Sequence, residues 1–310
     1  MIKLATIFSG IGSPEMSLKQ LNIKYNTLFA CDIDKFVKQS YLANHECNKW
    51  YDDVKSINGL DYTNKVDLFV GGSPCQSFSN AGKRLGLNDD RGRLIYEFSR
   101  LVDEIKPKVF IFENVKTLLS KDNTDVFNDF KSRLEKSGYS LFYQVLNAKD
   151  YGIPQNRERV FLVGFKDKRT GFKFPEKKEL QITVKDLLLK EIDYKYRYKN
   201  NSKISKEFKK SKLKNCNTVY QWRRKYIREN KNKLCPTLTA NMGTGGHNVP
   251  IVIENGGGIR KLTPRECLRL MGFSDDFKIV VSDSQMYKQA GNSIVVNVIT
   301  ELMKSIWDIK

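Results

Sequence analysis

A short apolar run that stops at two glycines constrains the fold of this chain most. Residues 66–70, Val-Asp-Leu-Phe-Val, are rich in β-branched and aromatic side chains, and Gly71 and Gly72 follow them directly. This pattern predicts a buried strand that ends in a tight turn. Open α/β sheets bind their ligands at the carboxyl ends of the strands, so Cys75 falls where a ligand would lie. A lone cysteine is usually an inert apolar residue, but this position favours a nucleophile.

A second strand predicts an acidic group at the same edge of the sheet. Residues 94–105 have the apolar spacing of a helix, which Lys106-Pro107 ends. Residues 109–112 are then fully apolar and lead into Glu113-Asn114. A buried unpaired carboxylate is costly, which favours a functional role for Glu113. A helix-capping glutamate bonded to local backbone would also fit this stretch.

The amino-terminal strand is predicted to lead into a glycine loop. Residues 3–8 read as a strand, Gly10 and Gly12 follow it, and Ser13 is suited to cap the next helix. A dinucleotide-binding loop would have a third glycine where Glu15 stands. A carboxylate there would repel a diphosphate but could accept hydrogen bonds from an ammonium group. The sequence therefore favours a zwitterionic cofactor with an amino-acid end over NAD.

Acidic residues follow the next two predicted strands. Asp32 comes after residues 27–31 and lies about 20 residues beyond the glycine loop, from where an acid binds ribose hydroxyls in nucleotide-binding βαβ units. Asp34 is predicted to cap the following helix. Asp52-Asp53 would end a third short strand, and a plain turn fits that pair equally well.

Four motifs, taken together, indicate a family. In chain order they are Pro74-Cys75-Gln76, Glu113-Asn114-Val115, Gln155-Asn156-Arg157-Glu158-Arg159 and Gln289-Ala290-Gly291-Asn292-Ser293. Each is weak evidence alone, but in this order they resemble the motif set of the bacterial-type DNA (cytosine-5)-methyltransferases. The resemblance covers most of residues 1–165 and 255–310 and leaves out the segment between them.

The resemblance implies an α/β fold with a doubly wound, mostly parallel sheet of the S-adenosylmethionine-dependent methyltransferase type. A second, smaller and irregular domain would recognise DNA. Residues 1–165 plus 288–310 would form the catalytic and cofactor-binding domain, and residues 166–287 the small basic target-recognition domain. The motif at residues 289–293 is predicted to open the last helix, which would return to the first domain.

The resemblance also implies site residues. The implied catalytic residues are Cys75, Glu113, Arg157 and Arg159. The implied S-adenosyl-L-methionine site comprises Phe8, Gly10, Ile11, Gly12, Asp32, Ile33, Asp53, Val54, Pro74, Asn292 and Ser293. The implied contacts to double-stranded DNA are Ser79, Lys83, Arg84, Arg91, Arg93, Gln155, Arg223, Arg224, Thr237, Thr239, Gly243 and Gly245.

The chemistry of cytosine fits these roles. Thiolate addition at carbon 6 would make carbon 5 nucleophilic, Glu113 would donate a proton to ring N3, and Arg159 would bind the base's carbonyl or a flanking phosphate. Arg157 and Arg159 stand at i and i+2 of a strand entry, so they could converge on one target or serve as structural ion-pair partners. The base must leave the duplex, and the glycine-bearing loop 78–93 has hinges with which to close over it.

Most of the net charge lies in one segment. Residues 166–233 hold 23 Lys and Arg against 8 Asp and Glu, so +15 of the net charge of +19 falls there. Aromatic and basic residues alternate at 194–198 and 220–226, and a glycine loop follows at 235–246. This composition favours nucleic acid as a partner and a mobile DNA-probing loop. A solvated lysine-rich surface and a plain turn are the alternatives.

The remaining features bear on compartment and partners. The six cysteines contain no C-x-x-C pair and only two histidines are present, so we expect no metal site and a reducing cytoplasm. No apolar run is long enough for a signal peptide or a membrane span. We expect a cytoplasmic monomer that acts on duplex DNA, paired functionally with a restriction endonuclease.

Three other functions fit parts of the sequence. The first is a transfer-RNA cytosine-5 methyltransferase, since one branch of the family acts on transfer RNA. The second is a nicotinamide-dependent redox enzyme, against which Glu15 and the missing third glycine count. The third is a DNA-binding regulator that has lost catalysis, which the presence of Cys75, Glu113 and Arg159 disfavours.

A capped helix is predicted near the carboxyl terminus. Thr263 is placed as its N-cap, Pro264 at its first position and Glu266 at its third, with Gly272 as the stop. This helix is expected to serve packing.

Overall fold

The computed structural model describes residues 1–74, 90–223, 225–244, 248–254 and 256–309, without the side chains of residues 90–93. These residues form two compact units. Unit 1 comprises Met1–Leu146, Glu158–Glu176 and Ile299–Lys310, and unit 2 comprises Asn147–Arg157 and Lys177–Val298. The carboxyl-terminal residues belong to unit 1, whereas residues 288–298 group with unit 2. The functional division at residues 165 and 288 remains a prediction.

The chain alternates strands and helices through its first half. The strands are β1 (Ile2–Ile7), β2 (Tyr25–Cys31), β3 (Trp50–Tyr51), β4 (Leu68–Gly71), β5 (Val109–Val115), β6 (Ser140–Asn147), β7 (Gln155–Asn156), β8 (Glu158–Phe165), β9 (Tyr220–Trp222), β10 (Ile227–Glu229), β11 (Cys235–Pro236), β12 (Ile251–Ile253) and β13 (Ile259–Lys261). The helices are α1 (Ser13–Gln20), α2 (Lys35–Asn44), α3 (Asp90–Ile105), α4 (Thr124–Lys136), α5 (Lys203–Ser211), α6 (Pro264–Arg269), α7 (Asp283–Asn292) and α8 (Val296–Trp307).

A seven-stranded sheet has the order β3-β2-β1-β4-β5-β8-β6. The pairs among β3, β2, β1, β4 and β5 are parallel, and β8 runs antiparallel to β5. The order reverses between β1 and β4, which is the topological switch point at which doubly wound sheets bind ligands. The predicted α/β fold with a mostly parallel sheet is confirmed.

The core of unit 1 is built from aromatic residues on the strands and on α3. Phe98 stacks on Phe69 of β4, with ring centroids 5.0 Å apart, and meets Phe110 and Phe112 of β5 edge-on. The apolar positions predicted from helical spacing are buried, and Lys106 ends α3 in the left-handed region before Pro107. The amphipathic pattern therefore predicted this helix and its buried face correctly.

Unit 2 is more regular than its sequence predicts. Strands β10, β9, β12 and β13 form a four-stranded sheet, and Phe208 of α5 packs on Tyr220 beneath it. These strands have only three residues each, so their alternation is too short to detect in the sequence. The resemblance implied an irregular second domain, and this small sheet is a regular part of that segment.

The helix termini give one confirmation and two corrections. Thr263 and Glu266 form the predicted capping box of α6, and Gly272 adopts a φ of 83° beyond its end. At α1 the N-cap is Gly12 rather than Ser13. The motif at residues 289–293 does not open the last helix, because it forms the final turn of α7, and α8 begins at Val296.

A glycine in β8 should be essential to the packing of unit 1. Gly164 lies opposite Phe110 of β5, and a Cβ atom at Gly164 would collide with the Phe110 ring. We expect Gly164→Ala to lower the free energy of unfolding by about 1–3 kcal/mol, as overpacked core substitutions do. Denaturant unfolding measures this change. Gly171→Ala is the control, because no atom lies within 4 Å of its Cβ position, and equal effects of the two variants would contradict the packing.

Candidate active site

The carboxyl ends of β4 and β5 bring two of the predicted motifs side by side. Gly71, the last residue of β4, pairs with Phe112 of β5. Gly72 and Glu113, which follow this pair, therefore lie side by side. A Cβ atom on Gly72 would be 2.9 Å from both the carbonyl oxygen and Oε2 of Glu113. A side chain at position 72 would displace either its own backbone or the Glu113 carboxyl, so only glycine allows the two to lie this close.

Glu113 is held by an arginine from β8. The Nε atom of Arg159 lies 3.1 Å from Oε1 of Glu113, and the two side chains are only 16% and 12% exposed. Glu113 lies inside β5, and the 3-10 helix that follows is capped by Val115, so the helix-capping alternative is excluded. Arg159 thus fixes one carboxyl oxygen, and the other lies against Gly72.

Asn114 bonds to the residue that precedes Pro74. Its Nδ2 atom donates to the carbonyl oxygen of Ser73 at 3.3 Å and to its hydroxyl at 3.1 Å, while Oδ1 accepts from the amide of Val115 at 2.8 Å. Both Asn114 and Ser73 are buried. No role was predicted for Asn114 itself, although a polar residue at the end of an apolar strand is the signal that could have indicated one.

Arg157 has partners of a different kind. Its guanidinium is buried and donates to the carbonyl oxygens of Leu238 at 2.8 Å, Gly291 at 3.1 Å and Ser293 at 2.8 Å. Arg159 instead pairs with a carboxylate, so the expectation that the two arginines converge on one target is wrong. These contacts make Arg157 a residue that positions backbone within unit 2.

The glycine loop after β1 is tied to β2 and to Asp32. Phe8 and Gly10 adopt left-handed backbone, with φ of 51° and 54°. The amide of Gly10 donates to Oδ2 of Asp32 at 3.1 Å, and the amide of Asp34 donates to Oδ1 at 3.1 Å. No atom of the described residues lies within 4 Å of the Cβ position of Gly10, so these residues leave space open beside the loop.

Other residues predicted to bind the cofactor flank this loop. Ile33 is 83% exposed, which leaves an apolar surface uncovered beside Asp32. Asp53 accepts a hydrogen bond from the amide of Lys55 at 2.9 Å and caps the 3-10 helix Val54–Ser56. Its role in binding the cofactor stays a prediction. Ile11 and Val54 are buried and Pro74 is half-buried.

Glu15 is buried beneath the loop and does not face a ligand's ammonium group, contrary to the sequence interpretation. Its Oε1 atom accepts from the hydroxyl of Tyr41 at 2.6 Å and from that of Thr6 at 3.4 Å, while Oε2 has no hydrogen-bond partner within the part of the chain that the structure describes. The hydroxyl of Thr6 in turn lies 2.7 Å from that of Ser9 in the loop. Burial raises the pKa of Glu15 to about 7.

Several residues predicted to contact DNA have structural roles in unit 2. Gln155 is fully buried, donates to the carbonyl of Leu270 at 2.7 Å and accepts from the amide of Leu238 at 3.0 Å, so its assignment as a DNA contact is wrong. Thr237 donates to the carbonyl of Asn156 at 2.7 Å. These partners lie more than 80 residues away in sequence, where no local pattern could indicate them.

The passage after β11 is packed against α7. A Cβ atom on Gly291 would collide with the backbone of Thr239, and one on Gly243 would collide with the carbonyl of Ser284. The expectation of a mobile probing loop is therefore wrong for residues 235–244. Thr239 is exposed, as is Asn292 at the end of α7, and Ser293 bonds back to the carbonyl of Gln289 at 2.8 Å.

The alternating aromatic and basic residues divide into two groups. Tyr194 and Tyr226 are 67% and 55% exposed, and Arg223 is exposed as well. Tyr220 is fully buried, and Tyr198 and Trp222 pack against the same core. Among the described residues of these stretches, the first group presents side chains that a nucleic acid could reach.

Eight predicted site residues lie outside the described part of the structure. They are Cys75, Ser79, Lys83, Arg84, Arg224 and Gly245, together with the side chains of Arg91 and Arg93. Within the described residues, no group of three or more His, Cys, Asp or Glu side chains could hold a metal ion. No described helix is long and apolar enough to cross a membrane.

Comparison with known proteins defines the class and then the family. The methyltransferase EhMeth of Entamoeba histolytica shares the fold, with a TM-score of 0.77 at 22% identity over 99% of this chain and 98% of that one. The family model described as C-5 cytosine-specific DNA methylase matches residues 2–308. The chain belongs to this family and is a DNA (cytosine-5) methyltransferase.

Two named relatives align with nearly the whole length of this chain. The Type II methyltransferase M.Bsp6I of Bacillus sp. (strain RFL6) is 42% identical over 99% of both chains. The Type II methyltransferase M.HhaI of Haemophilus parahaemolyticus is 35% identical over 98% of this chain and 94% of its own. The family membership disfavours two of the alternative functions, the nicotinamide-dependent redox enzyme and the regulator without catalysis. The family description names DNA rather than RNA, which disfavours the transfer-RNA methyltransferase.

The buried carboxyl of Glu15 should make stability depend on pH. Its pKa is about 7 in the folded protein and near 4.5 unfolded, so above pH 4.5 the unfolded chain loses a proton that the folded protein retains. We expect a penalty that grows between pH 4.5 and 7 to about 3 kcal/mol and then stays constant. Glu15→Gln should remove it, so the variant should gain stability over wild type as the pH rises through this window.

Denaturant unfolding at several pH values measures the difference between the two proteins. Glu46→Gln, on an exposed side chain, is the matched control and should parallel wild type. Parallel curves for wild type and Glu15→Gln would contradict the buried protonated carboxyl.

The hydrogen bonds of Asn114 should matter more for turnover than for folding. We expect Asn114→Ala to lower kcat for methyl transfer by about 10–100-fold through misplacement of the cysteine loop, with little change in KM for DNA. Steady-state kinetics measures both constants. Asn123→Ala is the control, since Nδ2 of Asn123 makes the same kind of bonds to a carbonyl of Thr117 and the hydroxyl of Ser120. An equal loss of kcat in both variants would contradict the positioning role.

Proposed function

We propose that this enzyme flips a cytosine out of duplex DNA, adds the Cys75 thiolate to carbon 6 and methylates carbon 5 from S-adenosylmethionine. The observation that carries the proposal is the carboxyl of Glu113, held by Arg159 and lying against Gly72, three residues before the cysteine. A nucleophile and an acid from adjacent strand ends are what addition to a pyrimidine ring requires.

The proposed steps balance in electrons and protons. The thiolate of Cys75 forms a bond to carbon 6, and the ring's electron pair moves toward N3, where Glu113 supplies a proton. Carbon 5 becomes the nucleophilic end of an enamine and takes the methyl group. A base would then take the carbon 5 proton as the thiolate leaves, and N3 would return its proton to the Glu113 carboxylate, which restores the aromatic ring and the acid. Arg159 would keep the acid in place through Oε1.

The residues around the glycine loop suit S-adenosylmethionine, which would supply an electrophilic methyl group on sulfur. Gly10 leaves open space beside the loop, and Asp32 is held so that its carboxylate can accept from ribose hydroxyls. The exposed side chain of Ile33 offers an apolar surface for a purine. Asp53 would bond the adenine amino group, with Phe8, Ile11, Gly12, Val54, Pro74, Asn292 and Ser293 completing the site.

DNA would be held by electrostatics and recognised by unit 2. Lys83 and Arg84 belong to the proposed closing loop, whereas Arg91 and Arg93 lie in the first turn of α3, and all four would bind phosphates. Arg223, Arg224, Thr239 and Gly245 are proposed contacts of the recognition segment. Because the similar relatives are named Type II methyltransferases, we propose that the enzyme protects DNA as the modification partner of a restriction endonuclease.

Loss of the thiol tests the covalent route directly. We expect Cys75→Ser to reduce transfer of labelled methyl groups to duplex DNA by at least about 1000-fold, because the oxygen nucleophile is far weaker. Duplex containing 5-fluorocytosine should form an irreversible adduct with wild type and none with this variant. Cys47→Ser, at a partly buried free cysteine, should behave as wild type. Near wild-type transfer by Cys75→Ser would refute the proposed route.

A further inference from the structure

Helix α5 presents a face of lysines to solvent. Lys203, Lys206 and Lys210 recur at i, i+3 and i+7, so they lie on one face of the helix, and Lys209 lies beside them. All four side chains are exposed. The motif comparisons and the predicted DNA contacts include none of these residues.

The opposite face of α5 fixes the helix in unit 2. Phe208 is buried against Tyr220 with ring centroids 5.1 Å apart, and Ile204 packs on the same core. The hydroxyl of Ser202 accepts a hydrogen bond from the amide of Ser205 at 3.2 Å and caps the first turn. The lysines therefore project from a fixed element rather than from a loop.

This arrangement of charge does not stabilise the helix. The first turn carries no acidic residue, and Lys203 and Lys206 stand at the end where the helix dipole disfavours cations. Lys209 and Lys210 complement the dipole at the other end, but like charges at this spacing repel. Among the described residues, no ion pair involves any of these four lysines. Four exposed lysines without an ion pair among the described residues form a cationic face that suits an anionic partner.

We propose that the lysine face of α5 binds the phosphates of duplex DNA that flanks the target cytosine, an inference that rests on the proposed function. Seven residues separate Lys203 from Lys210, so the face extends about 10 Å along the helix axis. That length spans about three phosphates of one DNA strand. Lysine ammonium groups act as point charges on phosphate, so the face contributes affinity without reading sequence.

The salt dependence of DNA binding tests this assignment. The variant with Lys203→Gln, Lys206→Gln, Lys209→Gln and Lys210→Gln should bind duplex with a log-log salt slope that is shallower by about 2 to 4. The control carries Lys24→Gln, Lys121→Gln, Lys136→Gln and Lys168→Gln, four exposed lysines of unit 1, and loses the same net charge. The control should retain the wild-type slope, and thermal unfolding should show both variants folded.

The outcomes separate this proposal from the proposed function. Saturating duplex at low salt should restore wild-type methyl transfer in the α5 variant, because the catalytic residues are intact. Equal slopes in wild type and the α5 variant, or equal losses in both lysine variants, would overturn the role of α5. Absence of methyl transfer in wild type would refute the proposed function while the salt slopes could still be compared. If the lysine face binds a different polyanion, the salt slope of duplex binding will be the same in the α5 variant as in wild type.

Discussion

The parallel pairing of β4 with β5 is the constraint on which the candidate site depends. Gly71 and Phe112 are partners in register, so Gly72 leaves the end of β4 beside Glu113 of β5. The side chain of Glu113 can then lie on the backbone of Gly72. Because side chains alternate along a strand, a slip of one residue would turn Glu113 toward the opposite face of the sheet. The buried phenylalanines beneath these strands fix the register through packing.

Buried polar side chains then set the direction of the loops that leave the sheet. Asn114 bonds to Ser73, two residues before the cysteine, and the hydroxyls of Thr6 and Ser9 connect the glycine loop after β1 to Glu15. Each bond is formed in a buried setting, where an unmade bond is costly, so the networks specify one loop conformation. The same principle operates in unit 2, where the buried pair Arg260 and Glu266 is joined to the cap of α6.

The sequence predicted those features that depend on nearby residues. The apolar spacing of α3, the cap at Thr263 and the strand that ends at Gly71 follow from local patterns, and the structure contains all three. The roles of Gln155 and Arg157 were not predicted. The resemblance implied that they contact a ligand, but in the structure they bond to backbone groups far away in the chain. In the sequence, a polar residue with a buried structural role cannot be distinguished from one that binds a ligand, because only the fold shows its hydrogen-bond partners.

The central claim is that the strand ends assemble a site for attack on a pyrimidine ring, with carbon 5 as the methyl acceptor. Mass spectrometry of nucleosides from duplex DNA treated with the purified enzyme and S-adenosylmethionine tests it most directly. The account predicts 5-methyl-2′-deoxycytidine as the new product. Methylation of an exocyclic amino group, as N4-methylcytosine or N6-methyladenine, would contradict it, since neither product requires a thiolate or an acid at ring N3.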